Sequence, residues 1–245
     1  MENCRQLYRK EMDLTLMRDV ESPQDLNRVY SLRQQRLHMM ANRVVTIQAC
    51  SSLGSGVLLD SYGHIATNAH VISSGSGTCT EIIVSTLQGW QGIAQVVVGE
   101  YEQDIAIIRV ESPQGFSGVD IAPEIFLGQD VFAVGHPLGI SHTVTRGVVS
   151  YPRRMVEQRP YVQTDASINP GNSGGGLFDE LGQLVGLPTF KEVWADKSRT
   201  IPVANIGFAV PGDVVQTYYS QAFRRNLSMT CSGDPQSACK AVILA

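Results

Sequence analysis

Residues 163–176 read Gln163-Thr-Asp-Ala-Ser-Ile-Asn-Pro-Gly-Asn-Ser-Gly-Gly-Gly176. Gly171 on one side and Gly174 to Gly176 on the other bracket Ser173. Such a turn frees the backbone and lets another molecule approach closely. A nucleophilic serine needs this setting: an exposed hydroxyl, with backbone N–H groups beside it to receive a developing oxyanion. The expected oxyanion hole is Gly171, Asn172 and Ser173, with Gly171 and Ser173 as the natural N–H donors. Taken alone, the segment also reads as an ordinary Gly-rich β-turn, so the rest of the chain has to decide.

A serine of this kind needs a base, and the base needs an acid to orient it. Among the 5 histidines, His70 lies in Gly63-His-Ile-Ala-Thr-Asn-Ala-His-Val-Ile72, where an apolar strand ends in a short polar turn. Functional side chains are often held in such places. Asp104, in Gln103-Asp-Ile-Ala-Ile-Ile-Arg-Val110, stands just before a very apolar strand. A carboxylate there is costly without a partner, and the ring N–H of His70 would supply one. Asp104 also reads as a plain strand-start turn residue, and His38, His64, His136 and His142 read as surface or structural histidines.

Working outward, the chain from Arg43 shows short apolar runs at Arg43–Ala49, Gly54–Asp60, His64–Thr67, Glu81–Leu87, Ile93–Val98 and Ile105–Val110. Turn material at Glu111–Gly115 interrupts them. A second set follows at Val131–Val134, His142–Ser150, Tyr161–Gln163, Gly175–Phe178, Leu184–Leu187 and Ile206–Val210. This rhythm predicts an all-β fold of two similar packed barrels. Residues 1–42 read as a helical extension, with Ser22-Pro23 as a start signal and Leu26, Val29, Tyr30, Leu37 and Met40 as its apolar stripe. An earlier helix is expected to carry Leu7, Met12, Leu16 and Val20. Asp213–Arg224 reads as a closing helix. The expected organisation is therefore a helical extension (1–42), a two-barrel domain (43–225, divided near 111–129) and a tail (226–245). Ser73–Gly77 reads as a loop.

Composition bounds the function. The net charge is -4 and no long basic run is visible, so nucleic acid is not the expected partner. No apolar stretch approaches membrane-spanning length. The first ten residues lack the apolar core of a secretory signal. This predicts a cytoplasmic protein, or an extracytoplasmic one if a leader has been removed. The 5 cysteines, Cys4, Cys50, Cys79, Cys231 and Cys239, are odd in number and show no CxxC spacing. They argue against a disulfide framework and a zinc site and predict reduced thiols, with no metal or cofactor. Cys231 and Cys239 are near enough in sequence to pair under oxidising conditions.

The motifs TNAHVI (Thr67–Ile72), DIAIIRV (Asp104–Val110) and GNSGG (Gly171–Gly175) resemble, in that order, the His, Asp and Ser motifs of trypsin-like serine peptidases. The nearest resemblance is to the HtrA/Deg branch. GSGVLLDSYGHIATNAHVI (Gly54–Ile72), FAVGHPLGI (Phe132–Ile140), TRGVVS (Thr145–Ser150), the run Gln163–Gly186 and IGFAVP (Ile206–Pro211) support it. The resemblance implies two packed six-stranded antiparallel β-barrels of the chymotrypsin type, with the site between them and a polypeptide substrate. Ser173 would attack the peptide carbonyl, His70 would move the proton and Asp104 would orient His70. By analogy, Ser167 would floor the specificity pocket, with Ile168, Leu187 and Ile206 lining it. No acid stands among them, so small or medium aliphatic residues are expected before the cleaved bond.

The chain departs from the usual pattern of that branch. A protease domain without a PDZ domain is expected. Residues 1–42 fall outside the common pattern and are a candidate contact for a partner or an oligomer; a homotrimer rests on the resemblance alone. The segment between Phe190 and Ile206 looks long and charged, and is read as a loop able to gate the site. Two other readings compete. Gly171–Gly175 also fits the G-x-S-x-G elbow of α/β-hydrolases, whose histidine follows the serine, but here His142 is the last histidine. The other is a chaperone-like peptide binder, or a resting protease of the same fold.

Overall fold

A computed structural model describes residues 23–74, 77–111, 115–136, 143–196 and 199–230. The earlier helix expected through Leu7 to Val20, and Cys4, Cys231 and Cys239, lie outside these residues. The chain divides into two units, Met1–Met39 and Met40–Ala245. Helix α1 spans Pro23–Asn42 and begins on proline, whose fixed φ suits the first helical position.

Beyond it, the N-terminal half of the second unit holds β1 (Val44–Ala49), β2 (Ser52–Leu58), β3 (His64–Thr67), β4 (Ser73–Ser74), β5 (Gly77–Thr78), β6 (Ile82–Ser85), β7 (Gln91–Ile93), β8 (Gln95–Glu100) and β9 (Ile105–Arg109). Seven of them form one antiparallel sheet, in the order β7-β6-β1-β2-β3-β9-β8. The first of the two expected barrels is thus a half-barrel, with seven strands where six were expected. Its two edge strands, β7 and β8, are separated only by Ala94, whose N–H donates to Ile82 O (2.8 Å). The edges meet at that residue, but no ladder joins them. The expected Ser73–Gly77 loop carries the small β4–β5 ladder.

The C-terminal half does close. β10 (Asp130–Gly135), β11 (Thr143–Val156), β12 (Arg159–Thr164), β13 (Gly176–Asp179), β14 (Leu184–Asp196) and β15 (Arg199–Pro211) form a barrel in the order β10-β11-β12-β15-β14-β13. The segment read as a gating loop between Phe190 and Ile206 is instead a β-hairpin. Its backbone pairs Val193 with Pro202, Trp194 with Ile201, Ala195 with Thr200 and Asp196 with Arg199. A wide bulge follows, because Lys191 pairs with Gly207 while Val193 pairs with Pro202.

Each half has its own apolar core, as alternating strands require. Val45, Ile47, Leu58, Ile65, Val84 and Ile108 fill the first. Val131, Ala133, Val149, Val162, Leu177 and Val185 fill the second. A fully buried Val, Leu or Ile stabilises the fold by about 1.5–3 kcal/mol. The connector lies against both halves: Val119 N–H donates to Leu58 O (3.0 Å), and Ala122 N–H to Leu184 O (2.9 Å).

Helix α2 (Gly212–Thr230) runs on past the expected end at Arg224. It leaves the second barrel and docks on the first sheet through a polar cluster. Asp60 lies in the turn before β3. Its Oδ2 accepts from Tyr219 Oη (2.9 Å) and lies 2.6 Å from Nδ1 of His64, which is almost fully buried. Burial by itself would raise the Asp60 carboxyl. The bonds from the His64 side chain and backbone and from Tyr219 outweigh it and hold Asp60 below its ordinary value of 3.8. A carboxylate with a depressed folded pKa stabilises the fold above its unfolded pKa, and that contribution is lost as pH falls through the folded one. Tyr219→Phe is expected to cost about 1.5–3 kcal/mol, the range for hydrogen bonds to charged groups. It should be read as a lower urea midpoint at neutral pH, with the deficit shrinking well below pH 3.8, where Asp60 becomes neutral.

The expectation of reduced thiols is corrected by a disulfide between Cys50 and Cys79, whose Cα atoms are 5.5 Å apart. Cys50 follows the end of β1. Cys79 is held beside the His70 turn, where its N–H donates to Ile72 O (2.9 Å). An odd total does not prevent one pair from meeting when the sheet folds the end of one strand over the loop after another.

Candidate active site

His70 sits in a single 3₁₀ turn, Ala69–Ile72, directly after β3. Ala69, Val71 and Ile72 are buried and anchor the turn, while the His70 side chain stays 51% exposed. The alternation of small and apolar residues in the motif thus pins the backbone and leaves the ring at the surface.

Asp104 closes the turn before β9 in the left-handed region (φ 50°), which aspartate tolerates better than most residues. Fully buried Asn68 supports that conformation, its Nδ2 donating to Asp104 O (2.9 Å). Nδ1 of His70 lies 2.9 Å from both Asp104 carboxylate oxygens, and the His70 backbone N–H donates to Oδ1 (3.1 Å). One carboxylate therefore fixes both the ring and the backbone of the histidine. With Asp104 ionised, Nδ1 carries the proton and Nε2 is left as the base.

Ser173 belongs to the turn between β12 and β13. Gly171 (φ 98°) and Gly174 (φ 76°) adopt backbone conformations that disfavour side chains. A Cβ on Gly174 would stand 2.3 Å from Thr67 Oγ1 and 2.4 Å from Ser55 O. The glycines are thus required where this turn presses against the first sheet. Gly171 N–H and Ser173 N–H donate to no other group among the described residues. The Asn172 N–H is already engaged by Asn169 O (2.9 Å). Of the three expected oxyanion-hole residues, Asn172 therefore has its amide committed within the turn, whereas those of Gly171 and Ser173 are not.

Thr189 connects the parts, and the sequence reading missed it. Its Oγ1 donates a short hydrogen bond to Asp104 Oδ2, and its carbonyl accepts from Ser173 Oγ (3.2 Å). Ser173 Oγ is thus held by Thr189, and among the described residues it makes no hydrogen bond to His70. Ser55 and Asn68 were missed as well. Their only local signals are the flanking glycines of Ser55 and the place of Asn68 two residues before His70.

The expected pocket residues separate. Ser167 is exposed and Ile206 half-buried. The Ser167 carbonyl accepts from Thr145 Oγ1 (3.0 Å). Ile168 is buried in the second core. Leu187 is completely buried and presents no surface to a ligand, because β14 turns it into the barrel.

The trypsin-like peptidase domain family model matches residues 54–187. The chain is similar to Protease Do-like 1, chloroplastic, of Arabidopsis thaliana, with 37% identity over 70% of this chain and 39% of that protein. It is similar to the periplasmic serine endoprotease DegP of Escherichia coli, at 34% identity over 71% of this chain and 36% of that protein. With the serine endoprotease DegS of the same organism it shares 35% identity over 65% of this chain and 45% of that protein. The chain thus spans less than half the length of these relatives. A crystal structure of the serine endoprotease from Yersinia pestis superposes with a TM-score of 0.66 at 30% identity, covering 79% of this chain and 67% of that one. Motif order, barrel architecture and these similarities agree: the chain belongs to the trypsin-like peptidase family, as a homologue of the DegP, DegS and HtrA serine proteases.

Proposed function

We propose that this chain is a serine endopeptidase in which Ser173 attacks the peptide carbonyl. The observation that carries this is the paired set on Thr189: the His70–Asp104 couple bonded to its hydroxyl and Ser173 bonded to its carbonyl. Rotation of Ser173 Oγ from Thr189 O toward Nε2 of His70 lets the imidazole take the hydroxyl proton as the C–O bond forms. Asp104 stabilises the resulting imidazolium. The N–H groups of Gly171 and Ser173 receive the oxyanion. The C–N bond then breaks, with His70 giving its proton to the leaving amine, and water hydrolyses the acyl-enzyme by the same path.

A serine-directed fluorophosphonate tests this reading. Labelling of the native chain is expected, with none in Ser173→Ala or His70→Ala. A native chain that neither labels nor cleaves unstructured polypeptides overturns it in favour of the peptide-binding alternative. The bond from Ser173 Oγ to Thr189 O favours a resting site, so labelling that rises sharply once a peptide is bound fits the same chemistry.

A neutral residue at Ser167, with half-buried Ile206 near it in the sequence analogy, supports preference for small or medium aliphatic residues before the cleaved bond. A peptide library in which Arg or Lys is preferred there overturns that preference. The Phe190–Ile206 hairpin is the candidate regulatory element, and residues 1–42 the candidate contact for a partner or a second copy. Among the described residues no helix is long and apolar enough to cross a membrane. The Cys50–Cys79 disulfide supports an oxidising compartment over the cytoplasm.

A further inference from the structure

We infer that Ser55, on the first sheet, is a positioning residue for the oxyanion site on the second barrel; this rests on the peptidase reading above. Ser55 is completely buried; its hydroxyl and N–H are committed across the interface, and its carbonyl within the first sheet. Its Oγ donates to Gly171 O (2.7 Å) and accepts from His136 N–H (3.0 Å). Its own N–H donates to Ser173 O (3.0 Å), and its carbonyl accepts from Thr67 Oγ1 (2.7 Å). A single residue of β2 thus grips the carbonyls on both sides of Asn172, one through its side chain and the other through its backbone.

The effect follows from peptide planarity. The Gly171–Asn172 peptide is held at its oxygen by Ser55 and His136 and at its nitrogen by Asn169 O. The Ser173–Gly174 peptide is held at its oxygen by Ser55 and at its nitrogen by Pro188 O. The Asn172–Ser173 peptide between them accepts from Gly175 N–H (2.9 Å) at its oxygen, so its Ser173 N–H can point in only one direction. Gly171, at φ 98°, is the joint through which the plane fixed by Ser55 sets the Gly171 N–H. A hydroxyl is the smallest group that can both donate to Gly171 O and accept from His136 N–H here.

Ser55 touches no reacting atom, and its loss acts through Gly171. Displacing a catalytic group by about 1 Å can cost on the order of 10²-fold in rate. In Ser55→Ala, kcat on an unstructured polypeptide is expected to fall about ten- to a hundredfold, with KM changed less than about twofold. Affinity for a peptide aldehyde, whose adduct with Ser173 presents an oxyanion, should fall in parallel with kcat. Binding of a peptide acid of the same sequence should not fall. Ser55→Cys keeps the size of the side chain with a weaker donor, and is expected to lie between the native chain and Ser55→Ala. Hydrogen exchange of the His136 amide should quicken in Ser55→Ala by more than the accompanying few-degree fall in melting temperature accounts for.

A kcat within twofold of native overturns the inference. So does a loss confined to KM, or a loss of kcat with unchanged aldehyde affinity. If Ser55→Ala does not fold, the Ser55→Cys comparison decides on the same readouts. A native chain that neither labels nor cleaves overturns the peptidase reading instead, and His136 exchange then decides by itself whether Ser55 clamps the turn.

Discussion

Asp104→Asn is expected to lower kcat by about 10⁴ at neutral pH while leaving the fold intact, the magnitude associated with a wrong histidine tautomer in this mechanism. The Asp104 carboxylate accepts from His70 Nδ1, from the His70 backbone N–H and from Thr189 Oγ1. An amide of the same shape has one oxygen and one NH₂ group. If the oxygen keeps the His70 backbone N–H, the NH₂ group faces Nδ1 or Thr189. An NH₂ group facing Nδ1 makes that nitrogen an acceptor and moves the ring proton to Nε2. Nε2 then cannot take the Ser173 proton. Single-turnover hydrolysis of a polypeptide substrate, with a melting curve as control, reads the effect. A variant within tenfold of native kcat would remove Asp104 from its assigned role. Thr189 adds a graded version of the same test: Thr189→Val keeps the tautomer but removes one donor to the carboxylate, so its loss should be far smaller.

The largest expected change in stability comes from the disulfide. Cys50 and Cys79 are 29 residues apart, and closing a loop of that length in the unfolded chain stabilises the fold by about 3.5 kcal/mol in the chain-entropy description. At about 2–4 °C per kcal/mol for a chain of this size, replacing both cysteines by serine should lower the melting temperature by about 10 °C. A reductant acting on the native chain should reproduce that shift and add nothing to the double variant. Because the bridge ends beside the turn that carries His70, the single Cys79→Ser variant should also exchange the amides of residues 69–72 faster. A melting temperature unmoved by reductant would contradict the assignment.

Strand positions were legible because alternation within a short run requires no partner to be known. His64–Thr67 and Ile105–Val110 are examples, and the structure forms strands there almost residue for residue. The run at Ile93–Val98 was legible as β but not as two strands, since the break at Ala94 takes the chain from one edge strand of the sheet to the other and reflects tertiary arrangement rather than local propensity. The Phe190–Ile206 segment misled for a related reason. Its length and charge argue for a loop when read alone, yet a hairpin whose two strands pair with each other needs no apolar face. The cysteines misled because parity constrains a set that is fully paired, not a chain in which two of five meet.

The sequence by itself determined the family, the order of the His, Asp and Ser motifs and the glycines around Ser173. The motifs and the glycines are properties of a few consecutive residues whose spacing carries its own chemistry, and the family and the motif order follow from their succession along the chain. It also excluded the hydrolase elbow, which needs only the order of residues along the chain. The tertiary structure decided how the turn is held. Thr189 reaches Asp104 across 85 positions of sequence, and Ser55 reaches Gly171 across 116. Those bonds exist only because a sheet and a barrel with separate cores press together along β2 and the Ser173 turn. The energetics of burial force every polar group on that boundary to find a partner. Which partner it finds depends on packing geometry, and no local pattern of residues encodes that geometry.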